Sequence, residues 1–191
     1  MNMEEFLVSS EIIDFTHPPV AAKARELAQR CSSNTEIAKR CFEFVRDEIR
    51  HTGDAGEGIT TLRASEVLEQ AQGWCYAKSI LLAALLRANG IPAALCYQRL
   101  SCSEYAKDIY CLHGLNAVFL KEYGWYRIDA RGNKAGVDAQ FDPPHEQLAF
   151  ILGENEYDLP QRYSEPLPVV VEALKTRKDY SEMIGHFPDI G

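Results

Sequence analysis

Nowhere does this chain concentrate lysine and arginine. Its 20 basic residues are scattered and outnumbered by 28 acidic ones, for a net charge of −8. That balance repels a phosphate backbone, so nucleic acid is not an expected partner. No apolar run can cross a bilayer: the longest aliphatic one, Ile80 to Leu86, falls far short of the roughly 20 residues a spanning helix needs. The first residues, Met1-Asn2-Met3-Glu4-Glu5, lack the basic-then-apolar order of a secretory signal. The expectation is a soluble, cytoplasmic protein without membrane contact. No two of the six cysteines (Cys31, Cys41, Cys75, Cys96, Cys102, Cys111) are spaced C-x-x-C. A zinc site made from sequence-local pairs is therefore disfavoured, no metal is expected, and reduced thiols are the expected state. No internal repeat, linker or low-complexity tract interrupts the chain, so residues 1–191 read as one domain.

What is present is enough apolar material for a core, 46% of residues, which argues against wholesale disorder. Residues 1–17 carry little pattern. Proline is tolerated in a first turn, so Thr16-His17-Pro18-Pro19 reads as the start of a helix running from about Pro19 to Arg30. Ser33-Asn34-Thr35-Glu36 has the spacing of a capping box and opens a second helix to about Arg50. Its stripe of Ile37, Cys41, Phe44, Val45 and Ile49 places Cys41 in the core. Residues 53–58 are a glycine-rich polar loop without the ending or context of a phosphate loop. It reads either as a rim of a cleft or as a plain solvent loop. A short helix follows through about Gln70, then the apolar run from Cys75 to Ala88, stopped by Asn89-Gly90 and Pro92. Apolar almost all round, that run reads as the central buried helix.

Beyond it the period changes. Ala93 to Leu100 reads as a strand, and Ser101 to Tyr110 as a polar excursion. Leu115–Leu120 and Trp125–Ala130 alternate and are joined by Lys121-Glu122-Tyr123-Gly124, a hairpin signal. Cys96, Cys102 and Cys111 fall in or beside these strands and read as structural. Residues 131–168 are rich in loop signals, with a short helix expected around His145 to Leu152. Val169 to Thr176 reads as helix or strand. His17, His51, His145 and His186 read as surface or structural residues.

The chemistry-bearing stretch is Gly73-Trp74-Cys75 with the helix behind it. A thiol in a helix's first turn meets free backbone N–H groups and the positive end of the dipole. Both favour thiolate, the nucleophilic form. Cysteine catalysis also needs a histidine to exchange the proton and a group to orient its ring. His113, just before a strand, and Asp129, at the end of the next, offer these, because two antiparallel strands joined by a short turn bring such positions together.

Gly73-Trp74-Cys75, Lys78-Ser79, Leu82-Ala83-Ala84-Leu85-Leu86-Arg87-Ala88 with Gly90-Ile91-Pro92-Ala93, His113 with Asn116-Ala117-Val118, and Gly124-Trp125-Tyr126-Arg127-Ile128-Asp129 together resemble the transglutaminase-like superfamily. The resemblance covers roughly residues 60–130. It implies an α+β, papain-like core: a buried helix bearing the nucleophile, packed on an antiparallel sheet bearing His and Asp, here with extra N-terminal helices. The core is expected over about 33–130, with 131–191 as decoration shaping the cleft. The resemblance implies Cys75 as nucleophile, His113 as general base and acid, and Asp129 as the orienting carboxylate.

The expected activity is acyl transfer on a peptide or protein amide, through a thioester and without a cofactor. Hydrolysis is favoured over crosslinking, because a short chain leaves little room for the extra domains of regulated crosslinking enzymes. The Cys75 backbone N–H would hold part of the oxyanion. Trp74, Gln72 and Gln70 stay open as second donors, with Trp74 and Gln72 as substrate-binding candidates. Two alternatives stand beside this reading: a binding module that kept the fold and lost activity, and a metal site on Cys75, His113 and Asp129. The substrate and the oligomeric state are not legible in the residues.

Overall fold

In the computed structural model, residues 3–102 and 109–191 are described. A single 3-10 turn (Met3–Phe6) precedes α1 (Pro18–Ala28) and α2 (Asn34–Glu48). Then come β1 (Arg50–His51), α3 (Thr52–Ala55), α4 (Ala64–Gln70), β2 (Gln72–Gly73) and α5 (Cys75–Ala88). The sheet follows as β3 (Ala93–Ser101), β4 (Tyr110–Leu120) and β5 (Gly124–Ile128). The chain ends with β6 (Gln140–Asp142), β7 (His145–Gln147), β8 (Tyr157–Asp158), α6 (Pro168–Thr176) and α7 (Tyr180–Met183).

α5 is buried from Cys75 through Arg87, because a helix apolar on every face can only sit inside. The helices α1, α2 and α4 pack on it from one side and β3 and β4 from the other. Its two interior cations are paired with carbonyls. Lys78 donates to the Ile49 carbonyl oxygen at the end of α2. Arg87 donates to the Ala93 oxygen at 2.8 Å and the Ser164 oxygen at 2.7 Å, clamping the turn into β3. Both satisfy orphan carbonyls that burial would otherwise penalise.

The main sheet is antiparallel, ordered β5-β4-β3-β8. Gly124, at φ 76°, closes the β4–β5 hairpin in the left-handed conformation that glycine tolerates. A parallel two-residue ladder sets His51 opposite Gly73. The N-cap of α2 is Ser33, whose Oγ accepts from Glu36 N at 3.2 Å, as its capping box predicts. Cys41 lies fully inside the core.

Several expectations are corrected. β4 starts at Tyr110, so His113 lies inside a strand; pairing with β3 continues all the way from Val118 to Tyr110. The helix expected around His145 is instead β7, which folds back on β6 beyond Pro143-Pro144. Residues 52–55 form one helical turn that overlaps the start of the loop expected over 53–58. Cys102 and Cys111 are disulfide-bonded, against the expectation of free thiols: β3 and β4 bring their Cα atoms to 6.1 Å, within bridging reach. The remaining four cysteines are free. Of the polar excursion between β3 and β4, residues 103–108 lie outside the described residues. Among the described residues, no helix is long and apolar enough to cross a membrane.

Candidate active site

Cys75 is the first residue of α5, and its N-cap, Trp74, makes no side-chain cap bond. The first-turn N–H groups therefore stay uncapped beside the sulfur. Gly73 lets the approach to the helix run close; a Cβ there would stand 3.0 Å from Ala77 Cβ. On the sheet side Gly114 plays the same part. A Cβ on it would meet the Tyr76 Cα at 3.0 Å, backbone that cannot swing away. Bare of a side chain, β4 comes near enough for Gly114 N to donate to Cys75 Sγ at 3.5 Å. Asn116 fixes the packing further along, donating to the Ser79 oxygen of α5 at 2.9 Å and the Ala94 oxygen of β3 at 3.2 Å.

The three residues singled out in the sequence converge. His113 Nε2 lies 2.7 Å from Asp129 Oδ2. The pairing of Asn116 with Ile128 sets this geometry, since it places the end of β5 beside the middle of β4. The other ring nitrogen of His113 is left for the Cys75 sulfur, whose charge acts on the imidazole. Asp129 is fully buried. Its Oδ1 accepts from Arg131 N and its Oδ2 from Ala149 N, both at 3.1 Å. The carboxylate thus occupies one nitrogen of the ring and leaves the other for the sulfur. That is a relay line rather than three donors aimed at one ion, which disfavours the metal alternative.

The electrostatics follow from the line. Burial pushes the Cys75 thiol up, but the charge and hydrogen bond of His113, and then those of His51, bring it down to about 6. Burial pushes His113 down, while the charges of Asp129 and Cys75 outweigh it and raise the imidazole to about 10. Burial alone would raise the Asp129 carboxyl; the His113 charge and its hydrogen bonds hold it below the ordinary carboxylate range. Both shifts favour the thiolate–imidazolium pair.

Trp74 and Gln72 are placed differently from the triad. The Trp74 ring stacks on Tyr180 (centroids 6.0 Å) and meets Phe187 (5.3 Å) and His51 (5.8 Å) edge-on. Its indole nitrogen is buried without a hydrogen-bond partner. The Gln72 amide accepts from Arg50 at 2.6 Å and donates to Thr52 Oγ1 and the Glu57 oxygen. These bonds tie β1, α3 and the glycine-rich stretch together, and none of them runs to Cys75.

Residues that the sequence reading left aside are also here. Phe150 meets the His113 ring edge-on at 4.9 Å and also borders an open cleft of about 830 Å³, with Gln98, Arg127, Glu146, Ile151 and Asp158 on its walls. The chain end returns as well: Leu112 N donates to the Pro188 oxygen at 2.8 Å, and Arg99 grips Asp189 through two bonds of 2.7 Å. His51, read from the sequence as surface or structural, is the most consequential of these. Its side chain is only 9% exposed, and its ring faces Asp54 and Cys75. A two-residue parallel ladder leaves no periodic trace, so no signal in the sequence marked it.

Comparison with known proteins agrees with this fold. The sequence model of the transglutaminase-like superfamily matches residues 21–130. No curated protein matches the chain. Among solved structures, the fold is similar to that of "a Putative Cysteine Protease from Cytophaga hutchinsonii", at 15% identity and TM-score 0.53 over 68% of this chain and 42% of that one. The periplasmic domain of TgpA from Pseudomonas aeruginosa aligns at 20% identity and TM-score 0.45, over 66% of this chain and 45% of that one. The chain spans less than half the length of either structure.

Proposed function

Because the chain belongs to the transglutaminase-like superfamily, we propose that it is a cysteine-dependent acyl-transfer enzyme acting on an amide of a peptide or protein. The observation that carries this is the line Cys75–His113–Asp129, closed at its far end by the 2.7 Å bond between ring and carboxylate. The Cys75 thiolate adds to the amide carbonyl carbon, and the carbonyl oxygen takes the negative charge. The backbone N–H of Cys75, at the head of α5, meets that oxyanion. The buried, unpaired indole N–H of Trp74 is our candidate for the second donor. His113 passes its proton to the leaving nitrogen as the carbon–nitrogen bond breaks, giving a thioester. The neutral ring then takes a proton from water or an amine as it attacks the thioester, and the sulfur departs as thiolate. Hydrolysis is the favoured outcome, with water as acceptor.

The binding-module reading draws on one observation, the shielding of the sulfur: Cys75 is 7% exposed. One experiment separates the two. A small activated ester should leave its acyl group on Cys75, seen as a mass increase mapped to that residue and absent from Cys75→Ala. No adduct at Cys75, at any pH between the two titrations, would favour the binding module. Amide turnover that persists in Cys75→Ala would overturn the enzyme reading.

A further inference from the structure

The sulfur has a second imidazole–carboxylate pair beside it. The β1–β2 ladder sets His51 across from Gly73, two residues before the nucleophile. Its ring packs edge-on against Trp74, and Nδ1 lies 3.6 Å from Asp54 Oδ2. That nitrogen is buried and makes no hydrogen bond of its own. Asp54 is itself held in place: Arg131 grips both of its oxygens, and Lys134 Nζ lies 2.9 Å from Oδ1. Arg131 in turn donates its backbone N–H to Asp129. The two carboxylates are therefore joined through one residue, and each stands behind an imidazole.

We infer that His51 is a further catalytic residue of this site: its ring donates a hydrogen bond to the Cys75 thiolate from the loop side, with Asp54 as the positioning residue that turns the ring toward the sulfur. The inference rests on the reading of Cys75 as nucleophile and extends it. The triad explains how the proton leaves the thiol and reaches the leaving group. It does not explain why a second buried ring, backed by a carboxylate with two cations on it, stands at the same atom. Hydrogen bonding to an anion favours the anion. A sulfur held from two sides stays charged when His113 is not yet aligned on substrate, and the donor that does not move the proton remains in place throughout.

The titratable and charged groups around His51 and the sulfur are Cys75 of α5, His113 of β4, and Asp54 with Arg131 and Lys134 behind it. The test is the rate of iodoacetamide labelling of Cys75, followed against pH by peptide mass spectrometry, in the full chain. Four proteins are compared: the wild type, His51→Phe, His51→Gln and His113→Ala. His51→Phe keeps a ring against Trp74 and removes the donor. His51→Gln restores a donor without a ring. The expectation is that His51→Phe moves the Cys75 titration up by at least about one pH unit, so that labelling near pH 6 falls about fivefold. His51→Gln should recover most of that loss. A purely structural role would instead spare His51→Phe and injure His51→Gln. A profile of His51→Phe that overlays the wild type, while His113→Ala shifts, overturns the inference and leaves the nucleophile standing. Wild-type Cys75 labelling no faster than the other free thiols would overturn the nucleophile reading itself. Circular dichroism spectra matching the wild type confirm that each variant is folded.

Discussion

The two flanks of Cys75 are built by different means. On the sheet side, His113 lies in β4 and Asp129 directly follows β5, next to the ladder that fixes the two strands from Asn116–Ile128 to Leu120–Gly124, and their contact is 2.7 Å with side chains 6% and 0% exposed. On the loop side, His51 and Asp54 occupy a two-residue ladder and a single helical turn, and their contact is 3.6 Å with side chains 9% and 28% exposed. One flank is positioned by backbone hydrogen bonds, the other by ion pairs reaching in from residues 131 and 134. A group that must hand over a proton in each turnover is better placed by a sheet, where error in position is smallest. A group that only holds charge tolerates a longer contact.

The comparison breaks most sharply at the carboxylates. Asp129→Asn should lower kcat on the order of 10⁴-fold, because the ring loses both its orientation and the charge that supports the imidazolium. Asp54→Asn should cost far less, roughly tenfold in the same assay, since it only loosens a ring that moves no proton. Equal losses from the two would show that both imidazoles carry protons.

The pH profile sharpens the contrast further. The Cys75 thiol lies near 6 and the His113 imidazole near 10. In the proposed mechanism the active form is thiolate with imidazolium, so kcat/KM should climb as pH rises through the first value and fall as pH rises through the second. Removing the loop-side donor should move only the acidic limb.

Gly114→Ala tests the sheet flank by packing alone. A methyl group 3.0 Å from the Tyr76 Cα must push β4 away from α5. Thermal or urea denaturation should show a loss of ~1–3 kcal/mol, accompanied by slower labelling of Cys75.

The smallest expected effect is on acid stability. The His113 charge holds the Asp129 carboxyl low, and contacts with His51, Arg131 and Lys134 hold Asp54 low, each against burial. A carboxyl whose folded value is depressed adds stability above its unfolded value of about 4, and that stability is lost as pH falls further. Each Asn variant should therefore flatten the drop in Tm below that pH, Asp129→Asn more than Asp54→Asn, whose salt bridges are partly in solvent.

The sheet flank was legible in the sequence and the loop flank was not, for a physical reason. α5 announces itself through thirteen consecutive buried positions, and the hairpin through alternation and Gly124. Those two elements carry Cys75, His113 and Asp129, so reading them places the triad. His51 is held by a ladder of two residues pairing with a segment twenty-two residues away, which leaves neither a period nor a turn signal. The same holds for Phe150 and the Ala149 N–H, which reach the triad from irregular chain. His145 shows the converse error: a short polar stretch after paired prolines lacks the length by which a helix and a hairpin arm differ, and the arm won. Cys102 and Cys111 met across adjacent strands, a closeness that spacing along the chain does not report.

One consequence follows from the surroundings of Trp74. The protein has two tryptophans, and only this one is wedged among Tyr180, Phe187 and His51, one residue from the sulfur. Its fluorescence is therefore a native optical gauge of the site. In a Trp125→Phe background, loading an acyl group onto Cys75 should change the emission intensity with the time course of thioester formation, and unloading should restore it.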